Sequence, residues 1–152
     1  MINLFGSFCI AQAVARHMIA ATTPKTLTSN PPRLDRSIIF IASMSGSIVN
    51  YPQPQCAYNA SKAGVVQLSK CLAAEWARHG IRVNTISPGY MDTALNRTPA
   101  LNQQKRIWKD RTPMRRLGEV EELNNVMLWL AGEGASFVTG SDVKVDGGYS
   151  VY

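Results

Sequence analysis

The chain has 152 residues, long enough for one compact domain with a real core. Hydrophobic residues are 45% and charged residues 17%, which excludes a disordered chain, and no apolar run is long enough to cross a bilayer. The formal charge is +6, with much of the excess in Lys105, Arg106, Lys109, Arg111, Arg115 and Arg116. Only Trp108 interleaves aromatically there, so the stretch reads as a solvated helix face and not a nucleic-acid site; a positive cleft for an anionic cofactor is the other reading.

In chain order, the start MINLFGSFCIAQAVARHMIA is apolar but has no basic leader region, and Arg16 and His17 interrupt its far end. It reads as a buried helix over about 3–20, not a signal peptide. AATTPKTLTSNPPRLDR is rich in Thr, Pro and Asn without periodicity, a surface loop. Residues 37–42, SIIFIA, form the short β-branched run of a buried parallel strand. Over 58–79, Val65, Leu68, Leu72 and Trp76 recur at three and four, giving a long amphipathic helix ended by Gly80. IRVNTIS (81–87) is a second strand, stopped by Pro88-Gly89.

A polar, basic segment over 91–117 holds one or two short helices. Residues 119–131 make another helix, and DVKVD (142–146) a last strand closed by Gly147-Gly148. Strands separated by helices imply right-handed βαβ units, a parallel sheet and one α/β domain spanning 1–152. The three cysteines, Cys9, Cys56 and Cys71, are odd in number and show no CxxC spacing, so neither a disulfide framework nor a zinc site is expected. Reduced thiols of a cytoplasmic protein are the default. His17 and His79 lack companions at ligand spacing, so no metal site is expected. Trp76 and Trp129 fall on apolar helix faces and read as packing residues.

Chemistry gathers in SMSGSIVNYPQPQCAYNASK (43–62). Tyr58 and Lys62 lie four apart, on one helix face. A free phenol, with a pKa near about 10, is a poor proton relay at neutral pH; an ammonium one turn away stabilises the phenolate and suits it to acid–base work. A serine hydroxyl at the same point can hydrogen-bond a substrate oxygen as charge develops on it. Ser43 closes one strand, Tyr58 opens the next helix, and SPGYMDT (87–93) ends the second strand with a Pro-Gly break that lets backbone approach a ligand. All three belong to the carboxyl end of the sheet, where open α/β folds place ligands.

Together, NLFG from Asn3, IASMSG, YNASKAG, IRVNTISPGYMDT and FVTGSDVKVDGG resemble the second half of a classical short-chain dehydrogenase/reductase over essentially the whole chain. The resemblance implies the C-terminal part of a doubly wound, Rossmann-type parallel sheet. It implies that Tyr58 is the catalytic acid–base, that Lys62 tunes it and binds the nicotinamide ribose, and that Asn3 holds a water in the proton relay. A helix N-cap is the plainer reading of Asn3. Pro88, Gly89, Met91 and Thr93 match the cofactor-facing loop. Ser43 follows the strand and precedes Gly46 by three, as the family's catalytic serine does; Ser45, thirteen before Tyr58, is the alternative.

Within the family the chain is most similar to fungal polyol dehydrogenases and ketose reductases of the mannitol, arabinitol and L-xylulose type. That implies NADP(H), with NAD(H) as the other option, and a sugar alcohol or ketose as substrate, with the substrate loop over roughly 94–117. No TGxxxGxG or NNAG occurs, so the nucleotide-binding half is expected to be absent, leaving an open parallel edge on the first strand. The chain then reads as a fragment or as half of a split enzyme. The alternative is a non-catalytic remnant serving as an interaction module, because helices 3–20 and 58–79 match the pair that forms the family's usual homo-oligomer interface.

Overall fold

A computed structural model describes residues 2–21 and 36–152; the expected loop after residue 21 lies outside the described residues. A π-helical turn (Ile2–Gly6) runs into α1 (Ser7–Ala20). Strand β1 (Arg36–Ile41) precedes α2 (Cys56–Trp76), and β2 (Ile81–Pro88) follows. Helices α3 (Asn102–Arg111) and α4 (Asn124–Ala131) precede β3 (Asp142–Val145). The strands form a parallel sheet in the order β1-β2-β3, with Arg36 opposite Ile81, Ile41 opposite Ile86 and Pro88 opposite Val145. Helices cover both faces, as in a doubly wound fold.

On one face, Ala11 and Ala15 of α1 and Val65, Leu72 and Ala73 of α2 pack on Phe40, Ile81 and Val83. On the other, Leu130 of α4 and Ala135 pack on Ile86, with Ile39, Val126 and Val143 around them. Ile81, Val83, Ile86 and Leu130 are fully buried, each contributing on the order of 2 kcal/mol relative to exposure. Gly80 ends the α2 segment at φ 70°, the left-handed conformation expected of a glycine after a helix.

Three sequence expectations need correction. The first helix is not buried: only Ala11 and Ala15 are enclosed, whereas Phe5, Ile10 and Val14 are exposed, because a single stripe of the helix meets the sheet and α2. Trp129 is 44% exposed and donates its indole N–H to the Gly134 carbonyl, so it rims α4 rather than packing under it. The segment 119–131 is a 3₁₀ turn (Val120–Leu123) followed by the short α4, the turn being closed by a Glu119–Glu122 capping box.

The central strand holds the least obvious packing. IRVN opens β2 with the apolar–polar alternation of a half-exposed strand, yet Arg82, Asn84, Thr85 and Ser87 are all buried. Specific partners take Asn84, Ser87 and the two terminal nitrogens of Arg82, while Arg82 Nε has none among the described residues. The Arg82 guanidinium donates to the carbonyls of Leu130 (2.8 Å), Ala131 (3.4 Å) and Gly132 (3.3 Å) at the end of α4. Asn84 donates to the Val138 carbonyl and accepts from the Ser141 N–H, while the Ser87 hydroxyl donates to the Asp142 carboxylate at 2.6 Å. These bonds hold the loop before β3 in register, since burying such groups unpaired is costly.

Residues 91–117 leave the sheet and return to it. The excursion is tied at its base by a bridge between Met91 and Gly118, with Gly118 N–H donating to the Tyr90 carbonyl and Asp92 N–H to the Gly118 carbonyl. Beside the bridge, Arg116 donates both guanidinium nitrogens to Glu122, at 2.6 and 2.7 Å. The Arg116 hydrogen bonds, and then the Glu119 N–H, hold the Glu122 carboxyl down at about 2. Because the folded value lies below the ordinary one, this clip's stabilisation is present above about pH 4.5 and is lost as pH falls toward 2. Carbon-detected NMR titration of Glu122 is expected to show a midpoint near 2, and Arg116→Gln to return it toward the ordinary value of about 4.3.

Candidate active site

The carboxyl ends of β1 and β2 bring the candidate residues together. After β1 the chain turns at Ser43, whose extended backbone caps a one-turn 3₁₀ helix (Met44–Gly46) and whose Oγ accepts from the Ser45 N–H at 3.2 Å. Gly46 is required there for a packing reason. A Cβ on it would meet the backbone of Lys62 and Ala63 at 2.8 to 3.0 Å, so the serine turn rests directly on the turn of α2 that carries Lys62. Tyr58 projects from the first turn of α2 into an open cleft of about 530 Å³.

Of the residues singled out from sequence, Ser43, Tyr58, Gly89, Met91 and Thr93 line this cleft, and so does Ser45. Lys62 stands behind them. Its ammonium donates to the Ile41 carbonyl at 2.9 Å, lies 5.7 Å from the centre of the Tyr58 ring, and is held below the ordinary lysine range by burial. Both serine oxygens accept one hydrogen bond, Ser43 Oγ from the Ser45 backbone N–H and Ser45 Oγ from the Gln55 side chain at 3.3 Å. The remaining two lie apart from the cleft. Pro88 sits in the sheet opposite Val145. Asn3, in the π-helical turn and not at a helix N-cap, donates to the Ser61 hydroxyl at 3.2 Å, which in turn donates to the Tyr58 carbonyl at 2.7 Å. Gly89 is demanded by its own chain, because a Cβ there would meet Cα of Asp146 at 2.7 Å.

The structure adds residues that sequence patterns did not mark. Asn50 and Gln53, from the loop before α2, donate to the Tyr90 hydroxyl at 2.8 and 2.9 Å. The Tyr90 ring stacks on Trp108 of α3, with centroids 4.1 Å apart and planes 6° from parallel, and meets Tyr149 edge-on. Burial raises the Tyr90 phenol above its ordinary range, against the opposing pull of the Asn50 hydrogen bond. The amides of the proline-containing run NYPQPQ and the aromatic residue directly after Gly89 were the available signals. Trp108 carried none, since nothing local ties α3 to the serine turn.

The cleft thus combines a phenol, serine hydroxyls and a nearby ammonium on a parallel-sheet scaffold. A family model described as enoyl-(acyl carrier protein) reductase matches residues 1–150. A D-arabinitol 2-dehydrogenase (ribulose-forming) of Candida albicans is 46% identical over 99% of this chain and 51% of its own length. An NADP-dependent mannitol dehydrogenase of Hypocrea jecorina is 44% identical over 75% of this chain and 42% of its own length. A solved short-chain type dehydrogenase/reductase from Mycobacterium marinum superposes with a TM-score of 0.84 at 42% identity, covering 99% of this chain and 54% of that one. The chain therefore spans about half the length of the relatives it matches. With that family model matched from end to end and relatives this similar, the chain belongs to the short-chain dehydrogenase/reductase family.

Proposed function

We propose that this chain carries the proton-transfer half of an NAD(P)-dependent oxidoreductase that interconverts a ketose and its polyol. The observation that supports this most is the convergence of Tyr58 and Ser43 on one cleft, with the Lys62 ammonium 5.7 Å from the tyrosine ring. In the reducing direction Tyr58 gives its proton to the carbonyl oxygen while Ser43 donates a hydrogen bond to the same oxygen. The nicotinamide, NADP(H) in preference to NAD(H), supplies the hydride when bound. The residues present fit its nicotinamide end: Lys62 spends one of its three N–H groups on Ile41, Thr93 has no hydroxyl partner among the described residues, and both border Tyr58 or its cleft. Asn3, through Ser61, steadies the turn of α2 that bears Tyr58.

The resemblance to polyol dehydrogenases favours a polyhydroxylated substrate lying between Tyr58 and α3. The test is NADPH-linked reduction of a ketose by the purified 152-residue chain, with serine variants. Ser43→Ala is expected to lose about 10²-fold in kcat, by the measure of a lost oxyanion donor, whereas Ser45→Ala, the alternative assignment, stays within about threefold. Absence of turnover in the parent chain, or equal losses in both variants, would overturn the assignment. A second reading, a homo-oligomerising interaction module without turnover, draws support from the exposed apolar residues Phe5, Ile10 and Val14 on and before α1.

A further inference from the structure

The amide orientations around Tyr90 are fixed by groups with a single hydrogen-bonding sense. Asn59 donates from Nδ2 to the backbone carbonyl of Ile48 at 2.9 Å, which can only accept. The same Nδ2 donates to Asn50 Oδ1 at 3.1 Å, so Asn50 must turn its Nδ2 toward Tyr90. On the other side, the Trp108 indole N–H, which can only donate, meets Gln53 Oε1 at 3.2 Å and turns Gln53 Nε2 toward Tyr90. The Tyr90 oxygen therefore accepts twice. Both acceptor sites of the phenol are taken, and its one proton must be offered elsewhere.

Two directions are open to that proton. One is the Tyr149 hydroxyl, which is buried, has no other hydrogen-bond partner among the described residues and stands where it can accept from Tyr90, a contact that raises the Tyr90 phenol further. The other is the cleft, which Tyr90 lines together with Ser43, Tyr58 and Gln104. Neither amide can serve as its acceptor, because both face it with N–H. We propose that Tyr90 is the substrate-selecting residue of the cleft, an obligate hydrogen-bond donor held by Asn50 and Gln53 to grip a hydroxyl oxygen of a polyhydroxylated substrate. This rests on the reading of the cleft as a ketose site and names what chooses the substrate there. A donor whose two amide neighbours cannot accept from it favours a ligand hydroxyl, because a ligand lacking one leaves the Tyr90 O–H only the Tyr149 oxygen. Burial keeps the phenol protonated across the physiological range, as a permanent donor requires.

The matched probes are D-ribulose and 2-pentanone, two five-carbon 2-ketones that differ in their hydroxyl groups. Binding of each to the full chain is measured by calorimetry or ligand-observed NMR, in the parent, Tyr90→Phe and Tyr149→Phe. Phenylalanine keeps the stack on Trp108 and removes only the hydroxyl. Tyr90→Phe is expected to weaken D-ribulose about 10-fold, the scale of one hydrogen bond, and to leave 2-pentanone within about twofold, while Tyr149→Phe leaves the preference for D-ribulose intact. Equal weakening of both ligands in Tyr90→Phe would show a merely structural role and overturn the proposal. So would an unchanged D-ribulose affinity, loss of the preference in Tyr149→Phe, or failure of the parent chain to bind D-ribulose. Turnover separates this from the enzyme assignment: hydroxyl-selective binding without Tyr58-dependent reduction sinks the assignment alone, and Tyr58-dependent reduction with no Tyr90 effect sinks the selector alone.

Discussion

Tyr58→Phe is expected to remove NADPH-linked ketose reduction, lowering kcat by about 10²- to 10⁴-fold, the range associated with a positioned proton donor, while leaving thermal stability unchanged. Both halves follow from the geometry. The Tyr58 hydroxyl faces the cleft beside Ser43 and has no hydrogen-bond partner among the described residues, so its loss breaks no internal bond. The phenylalanine ring keeps the same packing next to Lys62, whose ammonium is anchored independently on the Ile41 carbonyl at 2.9 Å. An exposed substitution of this kind shifts stability by no more than about 0.5 kcal/mol. Steady-state kinetics and thermal denaturation on the same preparations check it. Turnover retained in Tyr58→Phe would move the proton donor elsewhere, and a large fall in melting temperature would make the kinetic loss uninformative.

The largest effect on folding is expected from Arg82→Met. The side chain is 1% exposed in the central strand and donates to three carbonyls at the carboxyl end of α4. Methionine fills most of the volume but donates nothing, so the helix's final carbonyls lose a charged donor in a dry environment. At about 1.5–3 kcal/mol for hydrogen bonds to charged groups, and with the longer contacts weaker than the 2.8 Å one, the loss is about 3 kcal/mol. For a chain of this size that lowers Tm by about 6–12 °C. Lysine at the same position is expected to recover only part of it, because an ammonium is a point donor and lacks the planar fork that spans three successive carbonyls. Differential scanning calorimetry of the three proteins decides the matter, and a Tm for Arg82→Met within 2 °C of the parent would refute it.

The residues of the cleft were unequally visible in sequence. Ser43, Tyr58, Gly89 and Thr93 stand at strand ends or at the first turn of a helix, and topology alone carries such positions to one edge of a parallel sheet. Lys62 followed from helical spacing. Asn3 did not reach the cleft, because its amide is taken by Ser61. The Asn50–Gln53–Tyr90–Trp108 network joins the loop before α2, the loop after β2 and α3. No periodicity spans those separations, and amides and aromatics in loops have many uses.

The same division runs through the fold. Local pattern was enough for the strand at 37–42, for α2 and its glycine stop, and for the parallel arrangement, because burial periodicity and turn chemistry act over a few residues. The buried polar half of β2 was beyond it. Arg82 and Asn84 alternate with apolar neighbours as solvent-facing residues do, and only the arrival of α4 and the 138–142 loop supplies the carbonyls and carboxylate that let them and Ser87 be buried. Likewise the start of the chain shows an apolar helix in its residues, but which stripe is enclosed depends on what packs against it, and only Ala11 and Ala15 are. By itself the sequence determined the elements, their order and the chemical types at the sheet's ligand end. Only the tertiary structure decided which polar groups are satisfied, and therefore that the Tyr90 oxygen accepts from two amides, because hydrogen-bond partners 37 to 55 residues apart are chosen by packing and not by spacing.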